Sequence, residues 1–202
     1  MQKRKIGIYG GTFSPPHYGH VGAAESFYND IGLDELIIMP TFLPPHKMCD
    51  NEVSPSDRIE MCKLAFEDIE GTVISDLEIK RGGKSYTAIT LSELSADDRE
   101  LYFLCGTDMF ITLDKWYTSE KIFELAVICC VRRENESSLG ELIKQKKEEY
   151  IKNYNARVIE ILSDVREISS SEIRDKIRNQ AVPTDVVPKK VCDYITEKGL
   201  YR

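Results

Sequence analysis

The chain is poor in histidine, and it lacks the patterns that mark several whole classes of protein. Only three histidines occur in 202 residues, and the six cysteines include no CxxC pair. The cysteine spacing gives little support to a zinc site, and we predict no metal held by the protein alone. No apolar run approaches the length of a membrane span, and the start MQKRKIGIYGG lacks the apolar segment of a signal peptide. These absences predict a cytoplasmic protein with reduced thiols and no membrane partner.

Charge and length narrow the class further. The formal net charge is −7, which argues against a general nucleic-acid binder, because such proteins usually carry a basic face. An acidic protein can still hold a phosphate through a few local cations. With 202 residues, of which 42% are hydrophobic, the chain is long enough to bury a core as one compact domain.

Apolar runs rich in β-branched residues alternate with longer segments of helical periodicity. The predicted strands are 6–9, 35–39, 72–79, 101–105, 126–131 and 158–162. The predicted helices are 21–31, 56–69, 87–94, 116–125, 170–178 and 189–198, and the charged stretch 143–152 is interpreted as a solvated helix face. This alternation predicts an α/β fold of the Rossmann-like, doubly wound type, with a mostly parallel sheet covered by helices on both faces.

The unusual residues follow the predicted strands or begin helices. In open α/β sheets, ligands bind beyond the carboxyl ends of the strands. The segments 10–20, 40–47, 106–108 and 169–171 should therefore surround one cleft.

Two of the three histidines lie in this cleft, in the stretch GGTFSPPHYGH. Gly10 and Gly11 permit a sharp turn and a close approach of the backbone to a ligand. If a helix begins near Tyr18, His17 and His20 project from its first turn towards the same side, where exposed N–H groups favour anions. The stretch matches neither the Walker pattern nor GxGxxG. Two ordinary histidines at a helix start, or half of a metal site, are the alternatives.

A second helix start that favours anions occurs near the end of the chain, in ISSSEIR. Ser169 and Glu172 fit a capping box. Arg174 then lies in the first turn, where the helix dipole disfavours a cation. An anion outside the helix would explain this arginine, and a capped surface helix with a stray arginine is the alternative.

The motifs together resemble a known family. GGTFSPPHYGH, LPPHK, SYTAITL, GTDMF with a following Trp, and ISSSEIR occur in the order seen in bacterial nicotinate-nucleotide adenylyltransferases of the HxGH nucleotidyltransferase superfamily. The similarity extends over essentially the full chain. The resemblance implies that ATP and nicotinate mononucleotide are converted to deamido-NAD and pyrophosphate in NAD biosynthesis, with Mg²⁺. It also implies one nucleotidyltransferase domain, 1–202, in which the C-terminal part 169–202 completes the ATP site.

The resemblance also implies roles for individual residues. The ATP phosphates would be held by His17, His20, Ser170, Ser171 and Arg174, with His17, His20 and Arg174 as the catalytic set. The remaining ATP contacts would come from Gly10, Gly11, Thr12, Phe13, Gly106, Asp108 and Ser169, with Asp108 on a ribose. The phosphate of the mononucleotide would contact His46 and Lys47, together with Arg132, and its nicotinate ring would be framed by Thr87 and Trp116. One departure is visible, because the family often has Asp where Ser14 stands.

Other functions remain open from the sequence. Within the same chemistry, the acceptor could be nicotinamide mononucleotide or phosphopantetheine, although SYT and GTD with the Trp count against the latter. The chain could also be a regulatory module that binds nucleotides without turnover. A fragment of a class I aminoacyl-tRNA synthetase would need an activating-loop lysine motif and a basic surface, and neither is evident. A homo-oligomer is an open alternative to a monomer.

Overall fold

Six parallel strands form the centre of the fold in a computed structural model of the chain, which describes residues 3–45, 53–133, 139–163, 168–179 and 182–202. The sheet order is β3-β2-β1-β4-β5-β6, and every neighbouring pair is parallel. The strands are β1 Arg4–Gly11, β2 Glu35–Pro40, β3 Thr72–Ile74, β4 Arg99–Gly106, β5 Ala126–Arg133 and β6 Val158–Ser163. The predicted doubly wound α/β fold is confirmed.

Helices cover both faces of the sheet. Within the described ranges they are α1 Tyr18–Ile31, α2 Pro55–Phe66, α3 Leu77–Arg81, α4 Thr87–Leu94, α5 Thr107–Ile111, α6 Ser119–Leu125, α7 Gly140–Tyr154, α8 Ser170–Asn179 and α9 Lys189–Lys198, with a 3₁₀ turn over Leu113–Lys115. One face packs on α1, α2, α8 and α9, and the other on α4 to α7. Because both faces are covered, the central strands are continuous apolar runs rather than alternating ones.

Several predicted boundaries were wrong. The strand predicted over 72–79 ends at Ile74, and α3 follows it. The helix predicted from Trp116 begins at Ser119, and α5 was not predicted at all. The charged stretch in α7 is not wholly solvated, because Ile143 and Tyr150 are fully buried against the sheet. In each case the hydrophobic pattern was taken from a short segment, and contacts with the rest of the fold decide the actual structure there.

The described cysteines behave as small hydrophobic residues. Cys62, Cys105, Cys129, Cys130 and Cys192 are free and buried. Burial raises the pKa of the Cys129 thiol to about 12, so the thiol stays protonated and unreactive at neutral pH. Among the helices that the structure describes, none has the length and apolar character needed to cross a membrane.

A glycine in the middle of β1 sets how closely α1 approaches the sheet. A Cβ atom built on Gly7 would overlap Leu33 and lie 2.9 Å from Cε1 of Phe27, both in the core. We expect Gly7→Ala to lower the free energy of unfolding by about 1–3 kcal/mol through overpacking. Gly10→Ala in the same strand is the control for stability, since nothing lies within 4 Å of its Cβ position. Urea unfolding of both variants tests this, and equal midpoints would contradict it.

Candidate active site

The loop after β1 is shaped by an aromatic anchor. Phe13 has a positive φ of 47° and a fully buried ring, which packs edge-on against Tyr9, His20 and Phe66. A left-handed backbone is unfavourable for a bulky residue and persists only where surrounding contacts hold it. Burial of the ring therefore keeps the loop in a conformation that the local sequence alone disfavours.

Side chains from two distant helices hold the same loop through its backbone carbonyls. The bonds are Arg58 Nη1 to Thr12 O at 3.0 Å, Arg174 Nη1 to Ser14 O at 2.9 Å, and Ser170 Oγ to Pro15 O at 3.1 Å. The Ser14 hydroxyl, which stands where the family often has Asp, lies 3.0 Å from the hydroxyl of Tyr201. Burial raises the pKa of Tyr201 well above its usual value. The loop is thus hydrogen-bonded to α2, to α8 and to the C-terminal segment.

The two histidines of HYGH form one unit at the start of α1. His17 caps the helix and is 5% exposed, and its ring stacks on that of His20 with centroids 3.7 Å apart. The His17 backbone N–H donates to Nδ1 of His20 at 3.3 Å. Because Nδ1 accepts this bond, the proton of a neutral His20 ring is on Nε2, which is then a donor. The prediction that both side chains reach the same side is confirmed.

The start of α8 lies in the same cavity wall as His17 and His20. The Ser169 hydroxyl accepts a hydrogen bond from the Glu172 N–H at 3.4 Å, as expected for the serine of a capping box. Arg174 Nη2 donates to the Ser171 hydroxyl at 3.2 Å in addition to its bond to the loop. Arg174 is therefore not a stray surface residue. It connects α8 to the loop that precedes the histidines.

These residues line a cavity of about 500 Å³, which we call the histidine cavity. Its polar wall contains Thr12, Ser14, His17, His20, Thr107, Asp108, Ser163, Ser169, Ser170, Ser171 and Arg174. Its apolar wall includes Leu104, Val131 and Ile168. Ring and guanidinium donors beside two helix starts suit phosphate, and the apolar wall suits a flat base.

A second cavity of about 570 Å³, which we call the tryptophan cavity, lies beside the first. Its floor is apolar and includes Ile8, Leu91 and Phe103, with Trp116 at one side. The rings of Tyr86 and Tyr117, also in its wall, have centroids 4.4 Å apart. Such a largely apolar cavity, with polar and charged groups at some points of its wall, suits an aromatic ring.

The two cavities share a wall. Gly10, Gly11, Thr12, Pro44, Asp108 and Met109 line both. A molecule in one cavity can therefore meet a molecule in the other across this boundary. Pairs of reactants held in adjoining cavities gain rate from proximity and orientation.

The structure gathers most of the predicted site residues, but not all. Every predicted ATP residue lines the histidine cavity, and Thr87 and Trp116 line the tryptophan cavity. Arg132 lines neither cavity and instead bonds Glu160 at 2.8 Å. Val131 faces the histidine cavity, so the alternation of a strand sends its neighbour Arg132 to the opposite face. His46 and Lys47 lie outside the described residues.

Several residues of the tryptophan cavity were missed by the sequence reasoning, and three of them bear on substrate binding. They are Glu78, Lys115 and Tyr117. Glu78 lies in the part of the predicted strand 72–79 that the structure does not show as a strand. Tyr117 lies within the predicted helix 116–125, and Lys115 directly precedes that helix. Lys115 could have been found as the cation directly before the sole tryptophan.

Comparison with known proteins finds relatives by sequence and by fold. The family described as cytidylyltransferase-like matches residues 8–176. A Clostridium botulinum protein described as a probable nicotinate-nucleotide adenylyltransferase is 39% identical over 98% of both chains. A Caldicellulosiruptor saccharolyticus protein of the same description is 37% identical over 98% of this chain and 99% of its own. The Plasmodium falciparum nicotinic acid mononucleotide adenylyltransferase complexed with NaAD shares the fold, with a TM-score of 0.77, 20% identity, and coverage of 98% of this chain and 97% of that one.

Proposed function

The chain belongs to the nicotinate-nucleotide adenylyltransferases, within the cytidylyltransferase-like family, and we propose that it transfers the adenylyl group of ATP to nicotinate mononucleotide. The products are deamido-NAD and pyrophosphate, and the reaction is a step of NAD biosynthesis. The observation that carries the proposal is the pair of cavities with one shared wall. The histidine cavity is rich in hydrogen-bond donors that suit phosphates, and the tryptophan cavity is largely apolar. Two different nucleotides require two such different cavities.

ATP occupies the histidine cavity in this proposal. His17, His20, Ser170, Ser171 and Arg174 contact the phosphates, because hydrogen-bond donors and a guanidinium converge there. The backbone at Gly10 to Phe13, Gly106 and Ser169 completes the walls. Asp108 lies at the shared boundary, where its carboxylate can accept from a ribose hydroxyl.

The chemistry requires alignment more than proton transfer. An oxygen of the mononucleotide phosphate forms a bond to the α-phosphorus of ATP, and the bond from that phosphorus to the oxygen that bridges the α- and β-phosphates breaks, so that this oxygen leaves with pyrophosphate. The attacking phosphate is already ionised at neutral pH, so no general base is needed. The site accelerates the step by holding the two nucleotides in line and by stabilising charge on the transferred group and the leaving group.

The mononucleotide can bind in the tryptophan cavity in only one orientation. Its phosphate must reach the shared wall, because the α-phosphate of ATP lies on the other side of that wall. The pyridine ring is then at the far end, framed by Thr87 and Trp116. Among the described residues, the backbone N–H groups of Thr87 and Tyr117 have no hydrogen-bond acceptor, so they can donate to a ring carboxylate.

In this proposal, Mg²⁺ binds together with ATP. Within the described ranges, no group of three or more His, Cys, Asp or Glu side chains could hold a metal ion. Mg²⁺ is commonly bound by substrate phosphates with one or two carboxylates, and Asp108 is the carboxylate that lines both cavities. Bound there, the ion would supply charge neutralisation of the phosphates.

We also propose that the chain forms a single domain whose C-terminal part, 169–202, completes the ATP site. Ser170 and Arg174 bond the loop after β1, and Tyr201 contacts Ser14. A truncation before 169 would remove these contacts together with the α8 wall. A cytoplasmic location stays a prediction of the sequence.

The proposed reaction is tested by pyrophosphate release from ATP and Mg²⁺ with each candidate mononucleotide. We expect release with nicotinate mononucleotide and formation of deamido-NAD in equal amount. Phosphopantetheine serves as the control acceptor and should support none. ATP binding without release with any acceptor would instead favour the regulatory module.

Lys47 supplies a separate prediction about the mononucleotide phosphate. We expect Lys47→Ala to raise the KM for the mononucleotide about tenfold, as for the loss of a hydrogen bond to a charged group. The KM for ATP should change less. Steady-state kinetics with each substrate varied in turn decides this. A selective loss of ATP affinity would mean that the LPPHK segment serves the other nucleotide.

A further inference from the structure

The tryptophan cavity contains a cation to which no role has been given. Lys115 lines this cavity, directly before Trp116. Among the described lining residues, it is the only lysine, arginine or histidine, whereas Glu78 and Asp108 are acidic. A cavity that receives a mononucleotide with a phosphate and a ring carboxylate needs positive charge, and Lys115 is the described residue that carries it.

The ammonium group of Lys115 is available for a ligand. The neighbouring carboxylate of Asp114 is occupied elsewhere, since it pairs with Lys146 at 3.2 Å and accepts from the Tyr150 hydroxyl at 3.1 Å. Lys115 itself is exposed and forms no ion pair with another described side chain. A lysine beside an occupied acid can place its charge towards the cavity at little cost to local structure.

The direction of the mononucleotide determines which of its anionic groups Lys115 meets. The phosphate lies at the shared wall formed by Gly10, Gly11, Thr12, Pro44, Asp108 and Met109. Lys115 is absent from that wall and lies beyond α5, next to Trp116 and Tyr117 at the ring end. Its charge is therefore near the ring substituent rather than near the phosphate.

We propose that Lys115 binds the pyridine carboxylate and contributes to the preference for the acid over the amide. This inference rests on the proposed function of the site. A carboxylate gains a charge-assisted hydrogen bond from the ammonium, whereas a neutral carboxamide gains at most an ordinary one. The difference acts on one substituent and leaves the rest of the substrate unaffected.

The buried acid in the wall of the tryptophan cavity does not cancel this effect. Glu78 is 5% exposed, accepts from the Thr90 hydroxyl, and lies 3.8 Å from Arg81 Nη2. Arg81 offsets part of the charge of Glu78 from behind the wall, outside the cavity. The remaining negative charge of Glu78 disfavours a further carboxylate in this cavity, and the cation of Lys115 in the same wall offsets that effect.

The test compares the two mononucleotides on wild type and on Lys115→Gln, with Lys115→Arg as the charge-preserving variant. The amide shares the phosphate and lacks the carboxylate, so the ratio of kcat/KM values isolates the ring substituent. We expect Lys115→Gln to lower the acid-to-amide ratio about three- to tenfold, mainly through the KM for the acid. Lys115→Arg should restore most of the ratio, and added salt should lower it in wild type but not in Lys115→Gln. Lys121→Gln, on the surface of α6, is the control and should leave the ratio unchanged.

Two results would overturn the inference. An unchanged ratio in Lys115→Gln would mean that the ammonium does not contact the carboxylate. An equal rise in KM for acid and amide would mean that Lys115 binds the phosphate or merely positions Trp116. Failure of the proposed function has a different signature, because wild type would then release no pyrophosphate with either mononucleotide.

Discussion

His20→Ala is expected to lower kcat by about 10²–10³-fold, the usual cost of removing one preorganised donor from a transition state. The ring lies in the wall of the histidine cavity, and its Nδ1 is engaged by the His17 N–H. Its Nε2–H is therefore the donor that can meet a phosphate oxygen as charge moves towards pyrophosphate. Steady-state turnover at saturating ATP and mononucleotide measures the loss.

The variant should remain folded, which allows the loss of rate to be assigned to the site. His20 is only partly buried, and its ring contacts include the stacked ring of His17 and the rings of Phe13 and Tyr9. Tyr18→Ala is the matched control, because Tyr18 begins the same helix, is 44% exposed and lines neither cavity. We expect it to retain turnover. Near-normal turnover of a well-folded His20→Ala protein would remove His20 from the proposed catalytic set.

A conservative variant separates helix capping from phosphate binding. Asparagine at position 20 keeps an acceptor that can serve the His17 N–H but lacks an Nε2–H at the same reach. Turnover of His20→Asn should therefore stay low while its thermal stability approaches that of wild type. Recovery of turnover with stability would mean that His20 acts through the start of α1.

Much of the fold follows from local patterns. The central strands are apolar on both faces, and the helices between them end at clear signals, such as Gly32 in the left-handed conformation after α1. Parallel sheets with crossover helices then bring the strand ends together, which is why residues as distant as Ser14 and Arg174 could be placed in one site. The outer strand was predicted too long, because only the three residues of β3 pair with β2.

The positions of two residues near the site have physical causes that no motif displays. Arg132 was assigned to the mononucleotide from the family resemblance, but it bonds Glu160, which also pairs with Lys147, and it lines neither cavity. Lys115 was missed because it belongs to none of the motifs and directly precedes the predicted helix 116–125. The carboxylate of Asp114, next to Lys115 in the chain, accepts instead from Lys146, 32 residues away. Pairings of this kind are decided by tertiary structure.

Nicotinate mononucleotide is expected to be used far better than nicotinamide mononucleotide, and this is the prediction with the widest expected range. The ring end of the tryptophan cavity presents donors, namely the N–H groups of Thr87 and Tyr117 and the ammonium of Lys115. A carboxylate accepts from all of them. A carboxamide must turn its own NH₂ group towards at least one donor, which leaves that donor without an acceptor.

The size of the preference follows from the number of mismatched groups. Each buried group left unpaired costs about 1–3 kcal/mol, so one or two mismatches amount to roughly tenfold to several-thousand-fold discrimination. The three- to tenfold share proposed for Lys115 is a part of this, and backbone donors supply the rest. Comparison of kcat/KM for the two mononucleotides, with ATP and Mg²⁺ held constant, measures the total. Equal values, or a preference for the amide, would leave adenylyl transfer standing but contradict the assignment of the ring end as a carboxylate site.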